Sequence, residues 1–472
     1  AAVVLSETID RPRATPGLVI RDLVGRDVAI LGAGREGLAV RDRLRELAPE
    51  QVITFYSESP PDAATLERLG GHDHLSTGPL DGAVLARHDV LVRSPGVSPY
   101  RPALRDARQA GVSFTTGTNL WMTEHAGART LCVTGTKGKS TTSALLAHLL
   151  REAGERVGLA GNIGVPLADC EASDADWWVV ELSSYQICDL ESPPWLTLFL
   201  NLSDEHLDWH GGAENYRRDK LRLARLAPEG RLFANGADAA LRAALADRTD
   251  THWFNQFPGV HLADHRLWEN GRPLSTIPRA PGDHNLVNLC GALAVLDALD
   301  LRPDALAPAL ESFEGLPHRL TTLGTLRGIR MVDDSLSTTP VATLAALQAL
   351  RDHPAVTVLV GGMDRGLDWS EHAGAFETAG PHALVALPDS GPNVLEALAR
   401  GGWAPPGGLH VAADMVEAVS RALQVTPPGG AVLLSPGAPS FPRYADYRER
   451  AAAFAAAAKA LGELDVAAGS QG

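Results

Sequence analysis

Residues 131–141 read LCVTGTKGKST, and this stretch decides the fold of the middle of the chain. Its apolar, β-branched start predicts a buried strand, and the leucines that recur from 145 to 150 predict a helix after the loop. Gly135 and Gly138 let the loop turn so that its N–H groups converge at the positive end of that helix, which suits a phosphate. One departure from the P-loop pattern is Val133, which stands where the first glycine is expected.

Lys139 and Ser140 are the residues of this loop that we expect to act in chemistry. The lysine would reach the terminal phosphates of a nucleotide, and the serine hydroxyl would meet Mg²⁺. An ordinary Gly/Lys turn is the alternative. The position of the Gly-Lys-Ser triplet between a strand and a helix favours the phosphate loop, because the mechanism requires that setting.

Composition limits the possible partners and compartments. A chain of 472 residues predicts three domains at about 150 residues each. The net charge of −15 argues against nucleic acid or an anionic membrane as the main partner. Four cysteines lie far apart, which is typical of buried thiols in a reduced compartment, so we expect a cytoplasmic protein. Neither a membrane span nor a signal peptide is predicted.

The first domain, at 1–115, is predicted to be doubly wound. A strand at 28–31 leads into a G-x-G-x-x-G turn at 32–37, a helix and a second strand at 52–56. Taken alone, this pattern is typical of dinucleotide binding. The second strand lacks the acidic residue that would hold a ribose, so a nicotinamide site is less favoured than another diphosphate ligand. A strand at 90–92 leads into a tight turn that can present N–H groups to a phosphate, or that is simply an ordinary turn.

The second domain, at 116–314, has polar residues where its predicted strands end. Glu181 closes the strand that begins at 177, a place where a Mg²⁺ ligand is expected, although a paired or helix-capping glutamate is the alternative. A strand at 198–202 leads into SDEHLDWH at 203–210, which is rich in hard-cation and imidazole ligands. Lys220 comes later, in a charged segment, and composition alone predicts that it lies at the surface.

Asn285 and Asn288 are also predicted to lie on a helix of this domain. They are three residues apart, so they share one face and can hydrogen-bond a base. Helix N-capping by one of them is the alternative.

The third domain, at 315–472, begins with a hinge that glycine and proline punctuate. Strands and helices then alternate, which favours a parallel sheet with right-handed crossovers. The predicted strands are 329–332, 356–360, 383–387, 409–412 and 431–434, and the helices are 340–351, 370–378, 393–400, 414–423 and 445–461. Polar loops at 333–339, 361–366 and 435–440 come after three of these strands, at the edge where open α/β sheets bind ligands.

Seven short motifs in a fixed order give the sequence a family resemblance. They are TGTKGKST at 134–141, GNIG at 161–164, ELSSYQ at 181–186, DEHLD at 204–208, HN at 284–285, LPHR at 316–319 and LSP at 434–436. Over nearly its whole length the chain resembles the Mur ligases of peptidoglycan synthesis, and most of all the members that add glutamate. Folylpolyglutamate synthetases share the middle and last domains but lack a first domain of this kind.

The resemblance implies an α/β protein of three domains. The first is Rossmann-like and binds a UDP-sugar, the central one is a P-loop-type ATPase with a mostly parallel sheet, and the last is Rossmann-like and binds the amino acid. It implies an enzyme that uses ATP and Mg²⁺ to join glutamate to UDP-N-acetylmuramoyl-L-alanine. We expect the enzyme to be a monomer. ATP phosphorylates the alanine carboxylate, the amine of glutamate attacks the acyl phosphate, and phosphate leaves.

The resemblance also implies roles for individual residues. The residues that it implies for ATP binding are Gly135, Thr136, Lys137, Gly138, Lys139, Ser140, Thr141, Asn285, Asn288, Arg319 and Asp334. The implied Mg²⁺ ligands are Ser140, Glu181, His206 and a carbamylated Lys220. The implied catalytic residues are Lys139, His206 and Lys220. A carbamate suits the metal because it is an anionic oxygen ligand, whereas an ammonium repels a cation. The UDP-sugar side comprises Gly34, Arg35, Glu36, Ser57, Ser94, Gly96 and Asn162, and the glutamate pocket Thr338, Arg365, Ser440 and Tyr447.

The third domain departs from the pattern of the members that add D-glutamate. Those members usually read DSKATN where this chain reads DSLSTT at 334–339, so Leu336 replaces a lysine. The later loop, commonly SPAxAS, is SPGAPS at 435–440. Losing a cation beside a pocket for a dianion is not a neutral change. A branch of the family adds L-glutamate, with a separate epimerase acting afterwards, so both enantiomers stay open.

Three rival functions remain at this point. The first is another ligase of the superfamily, with a different amino acid or with folate as the acceptor. The second is a nicotinamide-dependent oxidoreductase built on the turn at 32–37, which leaves Lys139, Glu181 and His206 without a task. The third is a scaffold with a vestigial nucleotide site, which the intact set of those residues opposes.

Overall fold

The computed structural model describes residues 17–61, 63–274, 283–313, 315, 318–364, 366–400, 402–440 and 442–465. The described residues divide into two compact units, of which the first extends to Phe313 and the second comes after it. Among these residues, no helix combines the length and the apolar character that crossing a bilayer requires.

The first unit begins with a parallel five-stranded sheet in the order β3-β2-β1-β4-β5. Its strands are β1 (Val28–Leu31), β2 (Ile53–Ser57), β3 (Asp73–Thr77), β4 (Val90–Arg93) and β5 (Ser113–Thr115), and its helices are α1 (Arg35–Leu47), α2 (Ala63–Arg68), α3 (Gly82–Leu85), α4 (Pro102–Gln109) and α5 (Gly117–Glu124). Strands β1 and β4 are buried along their whole length, as parallel strands covered by helices on both faces are. The doubly wound prediction is confirmed.

A second parallel sheet of six strands, in the order β11-β10-β9-β6-β8-β7, forms the centre of the same unit. Its strands are β6 (Thr130–Thr134), β7 (Val157–Gly161), β8 (Trp177–Glu181), β9 (Leu196–Phe199), β10 (Leu232–Asn235) and β11 (His252–Phe254). Its helices are α6 (Lys139–Glu152), α7 (Ser184–Ile187), α8 (Leu207–His210), α9 (Ala213–Leu226), α10 (Ala239–Ala244), α11 (Asp283–Leu299) and α12 (Leu306–Glu311). Helices α6 and α11 pack together over the sheet and form the largest apolar cluster of the unit.

A small antiparallel sheet in this unit was not predicted from the sequence. It consists of β12 (His261–Ala263), β13 (Arg266–Glu269) and β14 (Arg272–Pro273). Its strands are so short that the apolar alternation used to find strands has no room to appear.

The second unit contains a six-stranded sheet in the order β15-β16-β20-β17-β18-β19. Its strands are β15 (Thr321–Leu326), β16 (Ile329–Asp333), β17 (Val356–Val360), β18 (Ala383–Ala386), β19 (Leu409–Val411) and β20 (Ala431–Leu434), and its helices are α13 (Pro340–Ala349), α14 (Ala373–Ala379), α15 (Gly391–Ala399), α16 (Met415–Val425) and α17 (Tyr447–Ala460). The parallel prediction is correct for every strand but β15, which pairs antiparallel with β16 and was missed. A two-residue turn joins these strands, so they form a hairpin rather than a crossover.

Two predicted element boundaries differ from the structure for identifiable reasons. The strand expected at 198–202 ends at Phe199, because the backbone carbonyl of Asn201 accepts a hydrogen bond from the phosphate-loop residue Thr136 (3.1 Å). The helix expected from 445 begins at Tyr447, because the Asp446 side chain caps it by accepting hydrogen bonds from two N–H groups of its first turn.

A buried ion pair joins the N-terminal and central sheets within the first unit. Arg93, at the end of β4, is 1% exposed, and its Nε lies 2.7 Å from Asp189 Oδ2. The same guanidinium donates to the carbonyl oxygens of Val97 (2.7 Å) and Tyr185 (2.8 Å). Arg93 therefore fixes the turn after β4 against the chain that comes after β8.

Asp189→Ala should destabilise the first unit strongly. It leaves the guanidinium buried without its anionic partner, which typically costs about 3–5 kcal/mol. Urea denaturation monitored by tryptophan fluorescence measures the loss. Asp176→Ala is the matched control, since Arg156 and Asp176 pair at 2.9 Å while both side chains are more than half exposed, and it should change little. Equal losses in the two variants would contradict this account of Arg93.

Candidate functional site

The phosphate-loop candidate lies between the end of β6 and the start of α6, as predicted. Gly138 has a left-handed φ of +84°, and a Cβ added to it would lie 2.5 Å from Asn288 Oδ1. Only glycine is compatible with both conditions. Asn288 lies on α11 and is buried beside Asn285, with 3.4 Å between their amide groups. The structure therefore brings the two predicted base-binding asparagines to the loop.

Asn201, which was not singled out from the sequence, holds the loop from just beyond the neighbouring strand β9. Its Oδ1 accepts a hydrogen bond from the backbone N–H of Lys137 (2.8 Å), and its Nδ2 donates to the carbonyl of the same residue (3.0 Å). Thr136 Oγ1 donates to the carbonyl of Ser203 (2.9 Å). Several anchors beyond β9 therefore set the conformation of the loop.

The two lysines of the loop have different partners. Lys139 Nζ donates to the loop carbonyls of Gly135 (2.9 Å) and Thr136 (3.0 Å), so its charge stays at the loop. Lys137 Nζ forms an ion pair with Glu205 Oε1 (2.5 Å). Lys139 is accordingly the better placed of the two to meet a phosphate. Ser140 and Thr141 form the start of α6, next to Lys139.

Glu181 ends β8, the strand next to β6, and is fully buried. Its Oε1 accepts a hydrogen bond from Asn162 Nδ2 (2.8 Å). Its Oε2 has no hydrogen-bond partner among the described residues. A buried carboxylate oxygen without a partner is costly, so it indicates a missing donor or cation at this point.

His206 and Lys220 are the other predicted metal ligands. Burial lowers the pKa of His206 to about 4, so the imidazole is neutral near pH 7 and retains a lone pair. Lys220 is 2% exposed, and burial lowers its pKa well below the usual range. Its amine lies 5.6 Å from the centre of the Tyr216 ring. The surface position that composition predicts for Lys220 is wrong, because α9 turns this face inward.

Three of the residues predicted for the UDP-sugar lie at the junction of the two sheets of the first unit. Arg35, at the start of α1, donates to the carbonyls of Asn162 (3.3 Å) and Gly164 (3.0 Å). Glu36 Oε1 accepts from Gln186 Nε2 (2.6 Å), and burial raises the pKa of this carboxyl. The structure therefore brings Arg35, Glu36 and Asn162 together.

Three of the other predicted sugar-side residues form hydrogen bonds of their own. Ser94 Oγ donates to the carbonyl of Gly32 (2.9 Å), and Ser57 Oγ donates to that of Ser59 (2.6 Å). The carbonyl of Gly96 accepts from Trp209 Nε1 (3.2 Å). Gly34 caps α1 and is exposed. The hydroxyl hydrogen of Ser57 is therefore donated within its own turn.

In the second unit, acidic residues gather at the end of β16. His318 Nδ1 lies 2.7 Å from Asp333 Oδ2. Asp334 accepts hydrogen bonds from Ser337 Oγ (2.5 Å) and Ser435 Oγ (2.7 Å), and burial raises the pKa of its carboxyl to about 6. The charge of Arg319 acts on the pKa of Asp334 in the opposite direction, so these two predicted nucleotide-binding residues lie near each other.

The predicted glutamate pocket is only partly described. Thr338 is half-buried just before α13, and Ser440 is buried in the loop after β20. The Tyr447 ring packs edge-on against His318, with 5.7 Å between the ring centres. Arg365 lies outside the described residues. Arg450, which was not selected from the sequence, is 1% exposed and donates to the carbonyls of Ser335 (2.9 Å) and Ala438 (2.8 Å), so it joins two of these loops.

Comparisons with known families match the three parts of the chain in order. Residues 26–116 match the MurD-like N-terminal domain of Mur ligases, 133–296 the Mur ligase middle domain, and 318–438 the glutamate ligase domain of Mur ligases. Each large sheet of the structure falls mainly within one of these matches.

Relatives with known names cover most of the chain. It is 43% identical over 453 residues to a UDP-N-acetylmuramoyl-L-alanine–L-glutamate ligase of Xanthomonas euvesicatoria, covering 92% of this chain and 96% of the relative. It is 42% identical over 459 residues to a protein of the same name from a Micromonospora strain, with 93% and 98% covered. Among solved structures, the UDP-N-acetylmuramate–alanine ligase MurC of Thermotoga maritima superposes with a TM-score of 0.58 at 18% identity, over 92% of this chain and 98% of that one.

Proposed function

Because this chain belongs to the Mur ligase family, and is thus an ATP-dependent, ADP-forming ligase, we propose that it joins L-glutamate to UDP-N-acetylmuramoyl-L-alanine. The substrates and the enantiomer are those in the names of relatives 43% identical to it. The replacement of a lysine by Leu336 supports the same enantiomer. Of the two possibilities that the sequence leaves open, we therefore propose the L-adding reaction.

The observation that most supports this reaction is that Lys139 begins α6, directly after the loop that follows β6, while Glu181 ends the adjacent strand β8. In the proposed reaction, an oxygen of the alanine carboxylate attacks the γ-phosphorus of ATP, the bond to the β-phosphate oxygen breaks, and ADP leaves. The glutamate amine then attacks the acyl carbon, loses a proton and displaces phosphate. Lys139 and the N-terminus of α6 stabilise the negative charge that develops on the transferred group.

Mg²⁺ is part of the proposal, and the donor set fits it. The unpartnered Oε2 of Glu181 is a hard anionic oxygen, Ser140 supplies a hydroxyl, and His206 is neutral. Lys220 fits as a carbamate, since its lowered pKa favours the free amine that reacts with CO₂. The cation, when bound, neutralises charge on the phosphates and on the transferred group.

We also propose that the enzyme acts as a monomer in the cytoplasm. Its four cysteines are free and buried, which suits a reducing compartment. The domain limits of 1–115, 116–314 and 315–472 belong to the same proposal.

Turnover with each glutamate isomer tests the enantiomer. With ATP, Mg²⁺ and UDP-N-acetylmuramoyl-L-alanine, we expect kcat/KM for L-glutamate to exceed that for D-glutamate by about 100-fold or more. A site that binds both carboxylates and the amine of one enantiomer cannot bind all three groups of the other, so polar groups of the site stay unpaired. ADP release and the mass of the product are the measurements. Preferential use of D-glutamate, or of another amino acid such as L-alanine, would refute the assignment.

A further inference from the structure

Four side chains, of which Tyr100 is half-buried and the other three are buried, form a continuous hydrogen-bonded chain in the first unit. Tyr100 OH donates to Asp219 Oδ2 (2.6 Å), the same oxygen lies 2.9 Å from His210 Nδ1, and His210 Nε2 lies 2.9 Å from Ser184 Oγ. His210 is fully buried, and Asp219 is 1% exposed. Tyr100 belongs to the loop before α4, so the chain extends from the N-terminal sheet to the central one.

The hydrogen bonds assign the protons along this chain. A carboxylate only accepts, so both Tyr100 OH and His210 Nδ1 carry their hydrogens towards Asp219. His210 Nε2 is then an acceptor, and the Ser184 hydroxyl donates to it. Both nitrogens of the imidazole are bonded, which fixes the orientation of the ring and its tautomer.

Two members of this chain lie close in sequence to two of the proposed metal ligands. Asp219 immediately precedes Lys220 on α9, and Ser184 begins α7, three residues after Glu181. Lys220 is buried on α9, so the position of its amine depends on how that helix is held. This chain of hydrogen bonds therefore connects the segment that contains Glu181 to the helix that contains Lys220.

We propose, on the basis of the function proposed above, that His210 is a positioning residue that sets the spacing between Glu181 and the Lys220 carbamate. Through its bond to Asp219, Tyr100 makes this spacing depend on the position of the N-terminal domain, which in the proposed function binds the UDP-sugar. Groups that orient metal ligands from behind typically contribute 10–100-fold to activity.

Three variants remove the chain in steps. Ser184→Ala removes the hydrogen bond to His210, and His210→Phe removes the bonds to Asp219 and Ser184. Tyr100→Phe removes the bond to Asp219 and also the 3.1 Å bond that Tyr100 OH accepts from Arg218. For His210→Phe we expect kcat to fall about 10–100-fold while KM for ATP stays within about 3-fold. His210→Asn, whose amide N–H can replace the bond to Asp219, should recover part of kcat.

A second readout needs neither ATP nor Mg²⁺. After incubation with ¹³C-bicarbonate, the carbamate signal of Lys220 in a ¹³C NMR spectrum should weaken in His210→Phe and in Tyr100→Phe. The matched control is His88→Phe, since Tyr56 OH, His88 and Asp27 form a similar chain (2.9 and 2.8 Å) elsewhere in the N-terminal sheet. This control should keep both kcat and the carbamate signal.

The outcomes separate the two proposals. Wild-type protein without ADP formation would overturn the proposed function. An active wild type, with folded Tyr100→Phe and Ser184→Ala proteins that retain its kcat and carbamate signal, would overturn the positioning role of His210. Because these two variants change single atoms, they carry the test even if His210→Phe fails to fold.

Discussion

Lys139→Ala is expected to lose about 1,000-fold in kcat while the protein stays folded. Removing one preorganised donor to a developing negative charge costs up to about that factor. The lysine ammonium donates to two carbonyls of its own loop, and Asn201 and Thr136 hold that loop separately, so we expect little stability to depend on it. ADP release under saturating substrates gives kcat, and thermal unfolding gives the stability.

Lys459→Ala is the control for this variant. Lys459 is exposed in the last turn of α17, at the opposite end of that helix from Tyr447. It should keep the wild-type kcat. If Lys139→Ala retained activity within about 10-fold of wild type, the loop would not be the site at which the transferred phosphoryl group is stabilised.

Glu181→Gln is the second variant for which we expect a large effect. Glutamine has the same shape and can still accept from Asn162, but its second position becomes an NH₂ group in place of the unpartnered oxygen. A cation at this position would lose an anionic ligand and face a donor. We therefore expect kcat to fall about 100-fold or more and the Mg²⁺ concentration for half-maximal activity to rise.

Glu152→Gln serves as the comparison for Glu181→Gln. Glu152 is exposed at the far end of α6, so the same change of charge there should leave the Mg²⁺ requirement unchanged. A Glu181→Gln enzyme with the wild-type rate and Mg²⁺ requirement would remove this residue from the proposed metal site.

Features set by local pattern were the ones that the sequence predicted best. The loop at 135–138, the G-x-G-x-x-G turn and the polar ends of strands all depend on neighbouring residues, and the structure has each at the expected strand end. Glu181 was found in the same way, since a carboxylate that closes an apolar run is conspicuous. The order of these motifs along the sequence then gave the family resemblance.

Features that depend on contacts between distant segments could not be predicted. Lys220 lies in a charged stretch, and only the packing of α9 shows that its amine is buried. Asn201 bonds a loop 64 residues earlier, and Tyr100 meets Asp219 from 119 residues away. The second histidine of the DEHLDWH stretch was a visible signal for His210, but nothing local indicates that Asp219 and Ser184 lie on either side of it.

The antiparallel strand β15 was missed for a related reason. Its side chains alternate between small, polar and apolar types without a clear period, so its place in the sheet is set by pairing with β16 rather than by its own composition. Beside the predicted glutamate pocket, Arg450 was missed because an alanine-rich helix gives no hint that its arginine is buried against two loops.

The central claim is that ATP activates the alanine carboxylate as an acyl phosphate, and the fate of that carboxylate's oxygens tests it most directly. UDP-N-acetylmuramoyl-L-alanine labelled with ¹⁸O in the carboxylate is incubated with ATP, Mg²⁺ and L-glutamate, and the inorganic phosphate is analysed by mass spectrometry. The account predicts one ¹⁸O atom in phosphate for every amide bond formed, with ADP as the other product. Phosphate that carries no label, or label that appears in AMP, would contradict it.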